Sequence, residues 1–194
     1  MQEKAQDKKQ EEEKEKMQEK KQESLEAQEA AAKAVEGNEW ERRQEAREQE
    51  ARQLEWENTL KASISQICGN TEMRLNQMLA PRFVKSDCRD QSLTVAFEID
   101  EWEKNTRGEL HGGTIAAMFD LVLGITAHCA SLAHQAATAD MSISYLRRVD
   151  GDDTILMTIL VRKNGRQMIR LSGEARSKKT GKAVAMVQSS YMVL

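Results

Sequence analysis

Residues 105–124 read NTRGELHGGTIAAMFDLVLG, and the long helix that this stretch predicts is the centre of the fold. From Ile115 onward it is apolar on most helical faces and contains no proline, as is typical of a helix enclosed by other structure. Two adjacent glycines precede it, and a single acid, Asp120, interrupts it. A carboxylate in a buried helix is costly unless a partner pairs with it or a reaction uses it. The surrounding chain must therefore account for both the helix and its acid.

Strand patterns lie on both sides of this helix. Before it, polar residues alternate with Leu93, Val95, Phe97 and Ile99, as expected of a half-buried strand. After it come four β-rich segments separated by turns: 141–149, 154–161, 167–177 and 183–194. The order of one strand, a long buried helix and a meander of about four strands predicts an α+β fold. In that fold, one antiparallel sheet wraps one central helix.

The N-terminal part of the chain has a different composition. Residues 1–60 carry 12 Lys and Arg against 18 Asp and Glu, whereas the remainder carries 17 against 14. Strong helix formers dominate this arm, as in coiled coils, but Met17, Leu25 and Val35 are too sparse for an apolar seam. We predict a charged, helical or partly disordered arm over 1–60 and one domain over 61–194. The arm is either a solvated extension or an assembly device.

Charge and cysteine usage narrow the possible functions. The domain's small positive balance does not indicate nucleic-acid binding, although it is compatible with a small anionic ligand. The three cysteines lack a disulfide spacing, and the first residues lack the apolar core of a signal peptide. These features favour a cytoplasmic location. Because polar residues interrupt the apolar region, it predicts a core helix and not a membrane span.

Other chemical motifs are weak. Thr180-Gly181-Lys182 lacks the spacing of a phosphate-binding loop. His128 and His134 fall on different helical faces, so with Cys129 they do not predict a metal site. Cys129 also has no catalytic histidine at a recognisable spacing. We predict neither a metal nor a cofactor.

The polar and small residues around the central helix resemble a known family. The pattern Asn105-x-x-Gly108-x-x-His111-Gly112-Gly113, followed by Asp120-x-x-x-Gly124, resembles hotdog-fold acyl-CoA thioesterases of the phenylacetyl-CoA thioesterase (PaaI-like) group. Residues 138–147, TADMSISYLR, are similar to the strand that follows the central helix in that group. The resemblance covers about residues 70–194. It implies a hotdog fold, hydrolysis of an acyl-CoA or aryl-CoA thioester, and a homodimer or homotetramer whose site draws on two subunits.

The resemblance also implies a role for each site residue. Asp120 is the general base or nucleophile, the Gly112 N–H polarises the carbonyl, Asn105 orients the carbonyl or the water, and Thr138 hydrogen-bonds the water. The substrate-binding candidates are His111, Gly113 and Arg147, of which Arg147 is the best candidate for a coenzyme A phosphate. Two positions depart from the family pattern: Thr138 replaces a serine of some members, and Arg148 replaces a common proline.

The residue types suit this chemistry. Amides at a helix N-terminus carry partial positive charge that can stabilise an oxyanion, and glycine lets the backbone approach a substrate closely. Asp120 follows Gly113 by about two helical turns, which predicts a carboxylate along the same groove as the amides. We expect His111 to make a positional hydrogen bond and not to act as the base.

Three alternatives remain open. The first is a non-catalytic acyl-CoA-binding or regulatory protein with the same fold. The second is an assembly protein whose arm is the functional part. The third, a hydratase or dehydratase on this fold, is less favoured because such enzymes use a histidine-centred site.

Overall fold

The computed structural model describes Met17 and residues 21–22, 41–69, 74–131 and 135–194. The chain divides into two compact units, Met1–Glu50 and Ala51–Leu194. In the first unit residues 41–50 are helical. The predictions of a partly disordered arm and of coiled-coil-like helix in it fall mostly on residues that the structure does not describe. The second unit begins before the predicted boundary at residue 61, because Trp56 and Leu60 are buried in its core.

The second unit contains the helices and the sheet that the sequence predicts. Its described helices are α1 (residues 51–68), α2 (Leu75–Leu79) and α3 (Gly112–Ala130), with a short 3₁₀ turn at Glu101–Glu103. Its strands are β1 (Arg82–Asp87), β2 (Ser92–Glu98), β3 (Ala136–Tyr145), β4 (Thr154–Asn164), β5 (Met168–Ser177) and β6 (Ala183–Val193). The sequence analysis missed β1, because this mostly exposed strand lacks an apolar alternation.

The strands form one antiparallel sheet in the order β1-β2-β4-β5-β6-β3. The α+β architecture with one sheet around a central helix is therefore confirmed. The predicted four-strand meander is wrong in one respect, since β3 pairs with β6 and not with β4. The helix α3 separates β2 from β3 along the chain, so β4 can pair directly with β2 while β3 joins the opposite edge.

The helix α3 packs against β2, β3, β4, β5 and β6. Its inward residues are fully or almost fully buried: Ile115, Met118, Phe119, Val122, Leu123 and Ile125. Burial of such a side chain contributes roughly 1.5–3 kcal/mol, so the apolar run of the sequence anchors the fold. By length and composition α3 could cross a membrane, but most of it is enclosed by the rest of the domain, as in the core helix of a soluble protein.

The segment before α3 is fixed by a buried acid. Glu103 is 1% exposed, and its carboxylate accepts a hydrogen bond from the Asp100 amide at 2.8 Å within a capping box. The Glu103 carbonyl accepts from the His111 amide at 2.8 Å. The turn thereby positions His111, the N-cap residue that precedes α3.

A β-bulge interrupts the edge strand β3. Thr138 lies opposite Tyr191, but Asp140 lies opposite Ser190, so Ala139 is the extra residue. Side chains alternate between the two faces of a strand, and the bulge shifts this alternation by one. As a result Thr138, Met141 and Ile143 all face α3, which strict alternation would forbid.

Candidate active site

Asp120 lies on α3 with its carboxylate at the edge of the sheet. Its Oδ1 accepts hydrogen bonds from the Thr138 hydroxyl at 2.8 Å and from the Tyr191 hydroxyl at 3.1 Å. Within the described part of the chain, Oδ2 has no hydrogen-bond partner. The sequence analysis expected a carboxylate inside a buried helix; in the single chain Asp120 is exposed instead, because α3 leaves this face uncovered beside β3. One carboxylate oxygen is thus held while the other is open.

Tyr191 is a site residue that the sequence analysis missed. Its side chain is 2% exposed, and its hydroxyl also donates toward the Asp120 carbonyl at 3.0 Å. Burial, reinforced by the negative charge of Asp120, raises the pKa of Tyr191. The residue reaches the site because β6 pairs with β3 and places Tyr191 opposite Thr138. The role of Tyr191 follows only from the register between β3 and β6, and residue spacing along the chain does not predict that register.

These three side chains open into a groove of about 410 Å³. Its apolar walls come from Ile67, Leu121, Ile125 and Leu194, and its polar lining from Asn76, His128 and Gln135. The groove therefore offers an apolar surface next to a carboxylate, as a site for the acyl part of a thioester would require.

The N-terminus of α3 presents one free amide. His111 is the N-cap, and its Nδ1 accepts a hydrogen bond from the Gly113 amide at 2.9 Å. The Gly113 N–H is therefore occupied, whereas the Gly112 N–H donates to no acceptor among the described residues. Tyr145 donates to the Gly112 carbonyl at 2.9 Å. His111 makes the positional hydrogen bond expected of it, and Gly112 keeps an amide that could contact an oxyanion.

Gly112 and Asp120 of one chain do not face the same substrate atom. Eight residues of α-helix separate them, or about 12 Å along the axis at 1.5 Å per residue. The sequence analysis expected the carboxylate and the amides along one groove, but the groove of Asp120 does not include Gly112. One thioester carbonyl cannot contact both groups of the same chain.

Asn105 serves as a turn residue. Its Oδ1 accepts hydrogen bonds from the Arg107 amide at 2.8 Å and the Glu109 amide at 3.2 Å. Its Nδ2 makes only a long contact of 3.4 Å with the Glu109 carboxylate. Arg107 donates to the same carboxylate and thereby holds the pKa of Glu109 below its ordinary value. Most of the donor capacity of the Asn105 amide therefore remains available.

Arg147 lies beside a separate basic pocket of about 380 Å³. Its Nη1 donates to the Ala183 carbonyl at 2.6 Å, which fixes the guanidinium against β6. Arg148 and Lys182 line the same pocket. Arg148, which replaces the common proline, also pairs with the Glu109 carboxylate at 3.6 Å. The lining therefore combines these three cations, which could contact phosphate groups, with the carboxylates of Asp150 and Asp153.

Cys129 is not arranged as a nucleophile. Burial raises the pKa of its thiol, which lies 3.3 Å from the Ser63 hydroxyl. His128 lies on the groove, while His134 lies outside the described residues.

Comparisons with known proteins agree with this fold. Residues 107–184 match the family model of the thioesterase superfamily. Acyl-coenzyme A thioesterase 13 of Mus musculus is 26% identical over 95 residues, which span 49% of this chain and 68% of the mouse protein. The Homo sapiens protein of the same name is 28% identical over 88 residues, which span 45% of this chain and 63% of the human protein.

Solved structures share the fold at low identity. Zebrafish thioesterase superfamily member 2 superposes with a TM-score of 0.63 at 20% identity, covering 71% of this chain and 97% of its own. For the Escherichia coli PaaI protein, the TM-score is 0.58 at 18% identity, over 70% and 96% of the two chains. A Streptococcus pneumoniae thioesterase protein with coenzyme A gives 0.53 at 21%, over 59% and 85%. The chain is therefore similar to the thioesterase superfamily over residues 107–184, and its second unit has the hotdog fold that these solved structures share.

Proposed function

We propose that this protein hydrolyses acyl-CoA or aryl-CoA thioesters to a free acid and coenzyme A, with Asp120 as the catalytic carboxylate. The observation that supports this role is the asymmetric environment of Asp120, with Oδ1 bound by two hydroxyls and Oδ2 open to the groove. The names of the curated relatives and the coenzyme A in a structural neighbour support the same substrate class.

The reaction follows from these groups. As general base, Asp120 Oδ2 removes a proton from water, and the water oxygen forms a bond to the thioester carbonyl carbon. The carbonyl oxygen becomes an oxyanion, which the Gly112 N–H stabilises. The C–S bond then breaks, and the departing thiolate of coenzyme A takes the proton from Asp120, which restores the carboxylate. As nucleophile, Asp120 would itself attack the carbonyl carbon, the C–S bond would break to release the coenzyme A thiolate, and water would hydrolyse the resulting anhydride.

The Gly112 amide in this scheme comes from a second subunit. The helix separation of about 12 Å prevents Gly112 and Asp120 of one chain from contacting one carbonyl. The edge strand β3 is ten residues long and pairs on one side only within the described sheet. Such an edge favours pairing with another strand. A homodimer formed along β3 would bring the start of one α3 toward the Asp120 of its partner.

Thiol release from a panel of acyl-CoA and aryl-CoA esters tests the catalytic role. We expect turnover by the wild type and a loss of at least about 100-fold in kcat for Asp120→Asn, since the amide cannot accept the proton. Asp140→Asn is the matched control, because it removes an exposed carboxylate on the outer side of β3.

Two outcomes contradict the proposal. A wild type that is inert on every ester would exclude hydrolysis of the tested class, and binding of the esters without turnover would favour the non-catalytic alternative. Full activity of Asp120→Asn would exclude Asp120 as the catalytic group.

A further inference from the structure

The position of Tyr191 is set by three independent parts of the fold. Its ring is buried at the end of β6, its cross-strand partner is Thr138, and its hydroxyl reaches the carboxylate on α3. The hydroxyl lies 3.0 Å from the Asp120 carbonyl and 3.1 Å from Oδ1. Its single proton is therefore shared between two acceptors of the same residue, which ties the side chain of Asp120 to its own helix backbone.

The shape of α3 accommodates this ring. Gly124 lies one helical turn after Asp120, and a Cβ there would lie 3.7 Å from the Tyr191 hydroxyl and 3.8 Å from the ring. A methyl group would fit, whereas a longer side chain would displace the tyrosine. The spacing Asp120-x-x-x-Gly124 thus has a physical reason: the glycine provides the space in which the ring reaches the acid.

The protonation state of Tyr191 makes it a donor. Because burial raises its pKa, the hydroxyl keeps its proton at neutral pH. A hydrogen bond from a buried hydroxyl to a carboxylate is charge-assisted and directional. It restricts rotation of the carboxylate, since two donors hold Oδ1 and Oδ2 must then point away from both.

We propose that Tyr191 is a positioning residue for the thioesterase reaction, whose hydroxyl fixes Asp120 Oδ1 so that Oδ2 faces the groove. This inference rests on the proposed function of Asp120. It assigns to β6 a contribution to the site in addition to those of α3 and β3.

Tyr191→Phe tests the proposal because it removes the hydroxyl and retains the buried ring. We expect kcat to fall about tenfold, with KM within about twofold of the wild type, since the hydroxyl orients a catalytic group and does not bind the substrate. In the Asp120→Asn background, the same change should lower kcat by no more than about a further twofold. Both substitutions disrupt the same hydrogen bond to the carboxylate, so their effects do not add. Ser190→Ala is the matched control, because it also removes a hydroxyl from β6. The Ser190 hydroxyl is buried and has no hydrogen-bond partner among the described residues.

A second measurement needs no activity. The hydroxyl proton of Tyr191, observed by NMR in protein labelled at tyrosine, should move upfield in Asp120→Ala because the carboxylate acceptor is lost. An unmoved resonance would overturn the proposal even if the wild type were inert on all esters. If the wild type is active, an unchanged kcat for Tyr191→Phe would overturn the proposal. An equal fall in kcat in the wild-type and Asp120→Asn backgrounds would overturn it as well.

Discussion

The two oxygens of the Asp120 carboxylate have different surroundings, and this difference determines what the residue can do. Thr138 and Tyr191 donate to Oδ1 from two neighbouring strands. Hydrogen bonds to the charged form of a carboxylate stabilise that form and restrict its rotation. Oδ2 is consequently both available and oriented, as a base or a nucleophile must be.

The Thr138 hydroxyl can be removed with little change in shape. Thr138→Val replaces it with a methyl group and keeps the β-branched side chain that suits a strand. We expect kcat to fall about tenfold, in line with the loss of one hydrogen bond to a charged group. Thr138→Ser retains the hydroxyl and should keep most of the activity. Steady-state kinetics on one ester would show this, and equal losses in both variants would contradict a role for the hydroxyl.

The basic pocket beside Arg147 predicts a difference between long and short substrates. Arg147→Ala should raise KM for a CoA ester severalfold, with kcat nearly unchanged, because a phosphate contact contributes equally to ground and transition states. The matching pantetheine thioester lacks the phosphates of the nucleotide, so its kinetics should not change. An equal effect on both substrates would show that Arg147 acts through its bond to the Ala183 carbonyl.

At the scale of elements, the turn before α3 links protonation to stability. Burial raises the pKa of Glu103, so the folded state holds its proton more tightly than the unfolded chain does. The contribution of Glu103 to the free energy of unfolding is then complete below the pKa of the unfolded chain. It is lost as the pH rises through the pKa of the folded state.

Glu103→Gln should therefore become more stable relative to the wild type as the pH rises from 4 to 8. Glutamine can still accept the bond from the Asp100 amide, so the capping box is retained. Urea denaturation at several pH values measures the difference in free energy of unfolding. Glu101→Gln, in the same turn but exposed, is the control. A difference between Glu103→Gln and wild type that does not change with pH would contradict the effect of burial.

Sequence reasoning was most successful within single elements. The apolar run of α3 and the alternation in β2 are local patterns, and the helices and strands that they predict are present. The placement of β3 beside β6 is not local, because it depends on which edge remains open after β2 and β4 have paired. For the same reason the spacing makes Asp120 a candidate, while nothing in the sequence near it indicates Tyr191, which is distant along the chain. The roles of all the predicted site residues stay predictions, as does the cytoplasmic location: Asp120, Asn105, Gly112, Thr138, His111, Gly113 and Arg147.

At the scale of the whole molecule, the proposal that two subunits share each site can be tested by complementation. If Asn105 and Gly112 act on the substrate bound by the partner's Asp120, then Asn105→Ala and Asp120→Asn impair opposite halves of a site. A heterodimer of the two variants contains one intact site and one with both defects. When equal amounts of the two variants exchange subunits at random, half of the dimers are heterodimers with one intact site out of two. The mixture should therefore recover about a quarter of the wild-type activity.

The test requires each variant to be weakly active alone and the mixture to be measured after subunit exchange. Sedimentation of the full chain establishes the oligomeric state under the same conditions. A mixture no more active than the average of its components would show that each site is built from a single chain.

The bulge at Ala139 also bears on how this protein could change during evolution. Deleting that one residue would make Thr138 and Asp140 consecutive and leave them opposite Tyr191 and Ser190, so strict alternation would keep Thr138 facing α3 with Met141 and Ile143. The hydroxyl beside Asp120 would therefore be kept, and the strand would lose only its local irregularity. A descendant could in this way lose a single codon from its edge strand and still keep the hydrogen bond from Thr138 to Asp120.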